Sequence, residues 1–290
     1  MGDSGFIPPP SVVAGLLGLQ AAYLLCTGPY RDRFRGATPV PLGQQVLFAQ
    51  GVVVLFVALA SPLGELGDRY LFTVHMVQHL LITLAAAPLL LAGTPGWLLE
   101  DLLRKLRLLR VARWALHPLM AFGVFNLVFG LAHLPAVFEL ALSSQPLHAA
   151  EHLLFLGSAL VLWMPILSPL PGRLPRYPYI AQLLYLFAQT VPAALVGALV
   201  SGASQPLYPT YALAPRVVDL TPLVDQQLGG LIMWVGGGVY FLVATGVVFF
   251  VWASREEAAD THPAGATGAR RSKVGALSVR DGVDSMNPWR

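Results

Sequence analysis

Apolar residues run through this chain in long blocks rather than at the two- or three-residue intervals of a water-soluble fold. Seven stretches near 11–28, 43–61, 70–93, 117–133, 148–168, 179–201 and 227–252 are almost wholly apolar. Each is close to the roughly 20 residues that a helix needs to cross a bilayer. The pattern therefore predicts an all-α, polytopic membrane bundle of seven transmembrane helices. Pro88, Pro165, Pro192 and the Gly236–Gly238 run interrupt these blocks, which is tolerated where neighbouring helices satisfy the freed backbone groups. Residues 97–116 differ: Leu98, Leu99, Leu102, Leu103 and Leu106 alternate with Arg104, Lys105, Arg107 and Arg110. That pattern predicts an amphipathic helix lying on a membrane surface.

Composition agrees with this picture. Only 11% of the 290 residues are charged and 56% are hydrophobic, with mean hydropathy +0.64; a soluble domain carries about 25% charged residues. The net charge of +3 matters less than its distribution. Sixteen of the 18 Lys and Arg residues fall after the first, third, fifth and seventh spans. They are Arg31, Arg33 and Arg35; Arg104, Lys105, Arg107, Arg110 and Arg113; Arg173 and Arg176; and Arg255, Arg270, Arg271, Lys273, Arg280 and Arg290. The other connections hold only Arg69 and Arg216. The positive-inside rule then predicts an external N-terminus and a cytoplasmic C-terminus. The expected organisation is a membrane domain over 1–253 and a disordered basic tail over 254–290. Anionic lipid accounts for the basic segments, and nucleic acid is not an expected partner. No Lys or Arg precedes the first span, so it reads as a retained span rather than a signal peptide. The single cysteine, Cys26, excludes an intramolecular disulfide and a CxxC metal site.

Against this apolar background the histidines stand out. His75 and His79, and His148 and His152, are spaced four apart near the starts of the third and fifth spans, and His133 ends the fourth. Residues four apart lie on one helix face, and the predicted topology puts all five imidazoles in the same outer layer. Ionisable groups are costly within a bilayer and usually mark a site. Imidazole is also a frequent ligand of transition metals. His75, His79, His133, His148 and His152 are thus the candidate metal ligands. His117 lies at the opposite end of the fourth span, and His262 lies in the tail. Gln78, Glu151, Asp225 and Gln226 are candidate supporting partners, and Met233 is a soft donor suited to Cu(I). Asp225 can also cap the seventh helix, and Gly229 and Gly230 permit close helix approach. Trp97, Tyr70, Tyr208 and Tyr211 read as interfacial anchors. The inner halves of the spans lack matching polar residues, so no transmembrane path is expected.

These residues resemble those of the CtaG-type cytochrome c oxidase assembly factors, a multi-span family linked to caa-type oxidases. The resemblance rests on His75-Met-Val-Gln-His79 with the following apolar run to Ala87-Pro88-Leu89-Leu90, and on Ala132-His133-Leu134-Pro135. It continues through His148-Ala-Ala-Glu-His152, Leu207-Tyr208-Pro209 and the segment from Asp225 to Trp234, covering roughly 40–255. It implies a non-enzymatic role in maturing a copper-containing terminal oxidase of a bacterial plasma membrane. The implied partners are oxidase subunits, the lipid bilayer and a periplasmic or extracellular copper donor. A single-span copper chaperone sharing the CtaG label uses a cysteine-based motif, which this chain lacks. Two other readings stay open: a haem protein with histidine axial ligands, and a metal-dependent hydrolase with Glu151 or Asp225 as general base. The HAAEH order does not match the HExxH arrangement.

Overall fold

The computed structural model describes residues 6–115, 117–170 and 176–261, with the side chains of 115 and 259–261 left aside. Among them the chain is all-helical. The long helices are α1 (Pro10–Thr27), α2 (Leu42–Ala60), α4 (Phe72–Gly93), α9 (Gln145–Leu167), α10 (Tyr179–Ser201) and α12, which starts at Pro222 and ends at Thr261. Shorter helices connect them: α3 (Pro62–Arg69), α5 (Gly96–Lys105), α6 (Leu109–Ala115), α7 (Pro118–Ala132), α8 (Pro135–Leu142) and α11 (Pro209–Leu213). Proline stands in the first turn of α1, α3, α7, α8, α9, α11 and α12. There its missing N–H leaves no bond unmade and its fixed φ favours the helix.

Six helices are long and apolar enough to cross a membrane, and α7 with α8 makes a seventh only as a bent pair. The fourth predicted span, near 117–133, coincides with α7. Its helix has 15 residues and gives way at His133-Leu134-Pro135 to α8, bent by 78°. The residue before a proline is driven out of the helical region, and Leu134 is extended at φ −67°, ψ 128°. The last helix also outruns its expected end near 252. Residues 262–290 of the basic tail lie outside the described residues, as does Arg173.

Two compact units divide at Phe249 and Phe250. Within the second, Trp252 Nε1 donates to Glu256 Oε1 at 3.0 Å. The first holds the core, and α4 is its central rod. Buried residues make up 61% of its apolar window and 50% of that of α9, against 17–28% for α1, α2, α10 and α12. Leu17, Leu184, Leu195 and Val243 face outward while His75, Gln78, Gln189 and Asp225 are fully buried. This inverts the arrangement of a soluble protein and suits a hydrocarbon surround. The single amphipathic helix expected over 97–116 is broken into α5 and α6; in α5 Leu98, Leu99 and Leu103 pack on the core, Leu102 is exposed, and Arg104 and Lys105 pair with Glu100 and Asp101 one turn back.

α4 is irregular in its middle. Leu81–Ala86 forms a π-helical stretch in which the Ala87 N–H reaches Ile82 O, five residues back. The Thr83 carbonyl, its ordinary α-helical acceptor, instead takes the Trp163 indole N–H at 3.0 Å. Pro88 explains the position: it has no N–H for the Leu84 carbonyl, and its ring crowds that group. The Tyr240 hydroxyl donates to Leu84 O in its place. A second π stretch, Ile232–Gly236, lies in α12. The two helices meet closely because Gly229 has no side chain; a Cβ there would stand 2.4 Å from Phe72 Cδ1.

Candidate metal centre

The centre forms where α3, α4, α7 and α9 converge, and its placement begins with backbone chemistry. The first N–H groups of a helix have no intrahelical acceptor. At α4 a carboxylate from another helix supplies one: Asp225 accepts Phe72 N at 2.8 Å and Thr73 N at 3.0 Å, and the Thr73 hydroxyl donates to Asp225 O at 2.7 Å. This negative charge at the positive end of the helix dipole fixes α4 one turn ahead of His75. α12 itself is capped by Thr221, whose Oγ1 accepts Val224 N. The expectation that Asp225 caps its own helix is thus corrected. α3 packs against the same turn, since Gly67 leaves room where a Cβ would stand 3.0 Å from His75 Cα.

The four-residue spacing does what periodicity predicts. His75 and His79 meet edge to face along α4 with ring centroids 4.3 Å apart, and His148 and His152 are tilted at the same separation along α9. Between helices, His75 lies 5.4 Å from His148 and 6.3 Å from His152, and His79 lies 5.5 Å from His152. His133, at the end of α7, is 6.3 Å from His79. Its Nδ1–H donates to Phe129 O at 2.7 Å, which leaves the Nε2 lone pair free. All five predicted histidines are therefore brought together.

Asp68, in α3, escaped the reading of the sequence. Its carboxylate stands 3.7 Å from His148 Nδ1 and 3.9 Å from His75 Nδ1. Burial, opposed by the Gln78 amide and by Arg69, pushes its carboxyl up to about 6. The available signal was a carboxylate seven residues before His75, in a short connection that also holds Glu65 and Arg69. Glu151 Oε2 is 4.0 Å from His148 Nε2.

Three donor sets have ligand atoms within 4.8 Å of one another: His75, His79 and His152; Asp68, His148 and His152; and His75, His148 and Glu151. Three donors at that limit stand about 2.8 Å from a common centre, so shared ligation at about 2 Å per donor needs each to move inward by up to about 0.8 Å. Most of the donor atoms also lack a hydrogen bond. Both nitrogens of His75 and of His79, Nε2 of His133, His148 and His152, both oxygens of Glu151 and Oδ1 of Asp68 are buried without a hydrogen-bonding partner in the protein. Each such atom costs about 1–3 kcal/mol, and native folds hold only a few per hundred residues. A bound cation would satisfy many at once, so the residues fit a metal.

The surroundings are aromatic. Phe138 lies 5.3 Å from the His75 ring and Phe155 lies 4.3 Å from His79. Tyr208 stacks on Phe72 at 4.7 Å, and its hydroxyl donates to His133 O at 2.9 Å. The Tyr211 hydroxyl donates to Gly67 O at 2.8 Å. Both tyrosines are buried, at 1% and 2% exposure, and brace the site rather than anchoring an interface. Of the other supporting candidates, Gln78 Nε2 donates to Ala58 O at 3.1 Å. Gln226 serves the loop after α10 through Leu207 N and Val200 O. Met233 lines a cavity of about 20 Å³ with Leu80, Thr83 and Gln189, outside the three donor sets.

Among the described residues, fold and site define an all-helical protein with multiple candidate membrane-spanning helices and a buried imidazole–carboxylate cluster where four of its helices converge. The cytochrome c oxidase caa3 assembly factor (Caa3_CtaG) family matches residues 21–255; the chain belongs to that family. The match takes in the end of α1, from residue 21 onward, which the motif-based resemblance omitted. Neither the comparison with curated proteins nor that with solved structures gives a match.

Proposed function

We propose that this protein binds copper at its histidine cluster and delivers it to the caa3 oxidase during assembly, without catalysing a reaction of its own. Oxidase assembly is the role of its family; the copper reading adds the chemistry of the cluster. The observation that carries it is the convergence of His75, His79 and His152 within 4.8 Å, with His75 and His79 nitrogens left unpartnered. Neutral imidazoles in a set of two or three suit Cu(I), and a fourth donor such as His133 or His148 would suit Cu(II) or Zn(II). Copper here is cargo, held loosely enough by nitrogen donors to pass to a site on the oxidase.

Haem fits less well. A macrocycle needs a flat apolar slot between its two axial imidazoles, and here the flanking space holds further imidazoles and two carboxylates. The reading also includes an orientation, with the histidine end at the outer face of a bacterial plasma membrane, where a periplasmic or extracellular donor could load it. The charge asymmetry of the connections supports this.

The test is metal loading. The protein, purified in detergent and exposed to Cu(I) under anaerobic reducing conditions, retains copper through desalting. His75→Ala/His79→Ala lowers its affinity at least 100-fold in competition with a Cu(I) chelator. An unmutated protein that retains no copper refutes the reading, and a Soret band after purification would favour haem instead.

A further inference from the structure

A buried centre that takes up and releases an ion needs a way in, and solvent reaches its donors unequally. The Asp68 side chain is 35% exposed, that of His148 11% and that of His75 0%. His79 and His133 are buried as well. The exposed end of this gradient opens on a cleft of about 520 Å³. Its walls come from Ile7 and Pro9 ahead of α1, Glu65 and Asp68 of α3, and Ser144 and His148 at the start of α9. Asp68 and His148 are the cluster donors that line it, whereas His75, His79 and His152 do not. A water takes about 30 Å³ in the liquid, so the cleft has room for a cation with its hydration shell.

The floor of the cleft leads inward. Asp68 spans the step, with one carboxylate oxygen 3.7 Å from His148 Nδ1 and the other 3.9 Å from His75 Nδ1. The His148 ring lies nearly parallel to that of His75, with centroids 5.4 Å apart and planes 19° apart. Asp68, His148 and His152 form one donor set, and His152 belongs also to the set of His75 and His79. Sets that share a ligand are successive arrangements around one ion. Carboxylates lining a cleft also raise the local concentration of cations. Glu65 is engaged by Arg69 at 3.9 Å, which leaves Asp68 as the carboxylate that faces both cleft and cluster.

We propose that this cleft is the port through which the metal ion enters and leaves the histidine centre, passing Asp68 and His148 on the way. This rests on the metal-binding reading above and adds a route to it. A port has a signature that a ligand lacks. A barrier on the path slows uptake and release by the same factor and leaves the equilibrium between them unchanged.

The experiment follows Cu(I) uptake by the full-length protein in detergent, and its removal by excess chelator. In a Cys26→Ser background, Ser144→Cys carries a bulky poly(ethylene glycol) maleimide. Ser144 is exposed and its hydroxyl makes no cap bond to α9, so the label is added to a folded protein without loss of a contact. Glu65→Cys carries the same label on α3. Ser204→Cys, exposed in the loop after α10 and outside the cleft lining, carries it as a control. A label on the cleft slows uptake and removal at least tenfold each, with affinity and bound equivalents unchanged, and the label on Ser204→Cys alters neither rate. Unlabelled rates in both cleft-labelled proteins overturn the port while leaving metal binding intact. Equal slowing by the Ser204→Cys label, or a cleft label that lowers affinity, overturns it too. Failure of the unmutated protein to take up copper overturns the metal-binding reading itself.

Discussion

Asp225 touches no imidazole, yet it determines where two of them stand. Its two oxygens hold the opening N–H groups of α4, and His75 follows within one turn. Replacing it with alanine strands both donors in a buried environment. A lost N-cap costs about 1–2 kcal/mol, and the burial of this one places it at the upper end. Asp225→Ala should therefore unfold at lower temperature in detergent and bind Cu(I) more weakly, whereas Asp225→Asn should recover part of both losses. Unchanged melting and affinity in Asp225→Ala would show that α4 is positioned by packing alone. The role was hidden in the sequence because Asp225 and Phe72 are 153 positions apart. The histidine pairs were legible because four-residue spacing is a local property of a helix. Asp68 was missed for the same reason as Asp225: only the return of α3 against α4, made close by Gly67, brings it to His75. Tyr208 and Tyr211 looked like interface residues by type, and only tertiary hydrogen bonds reveal their bracing role.

At the scale of elements, the spans were readable from apolar length because a bilayer imposes one thickness on all of them. Their irregularities were not. Pro88 marks a defect in the helix but does not say which partners repair it. The repair comes from Trp163 and Tyr240, whose polar atoms take the carbonyls of Thr83 and Leu84. π-helical stretches occur often at functional sites, and this one begins two residues after His79. Tyr240→Phe removes the donor to Leu84 while keeping the ring. It should cost about 1 kcal/mol, read as a lower melting temperature, with Cu(I) affinity held within twofold because the histidine turn lies N-terminal to the defect. A large loss of affinity would mean that the π stretch sets the rotation of the His75/His79 face. The kink after α7 belongs to the same class of feature: Pro135 was visible, but the 78° turn depends on where α8 finds its packing partners.

At the scale of the whole molecule, the proposed outer placement of the histidine end rests on charge asymmetry and can be tested directly. In a Cys26→Ser background, Ser144→Cys on the cleft rim should react in intact cells with a membrane-impermeant maleimide. Leu108→Cys, in the basic connection between α5 and α6, should react only after the membrane is opened. The reverse pattern would invert the topology and put metal loading on the cytoplasmic side. One further consequence follows from the brevity of α7. Fifteen residues at 1.5 Å each give roughly 22 Å, against a hydrocarbon thickness of about 30 Å. Were α7 to cross the membrane without α8, lipid beside it would have to thin, or headgroups dip, to meet a helix that stops short. On the proposed orientation the His133 edge of the cluster would then lie at a depression in the bilayer, and hydrophobic mismatch would help decide how near a water-borne donor or an oxidase subunit comes to it.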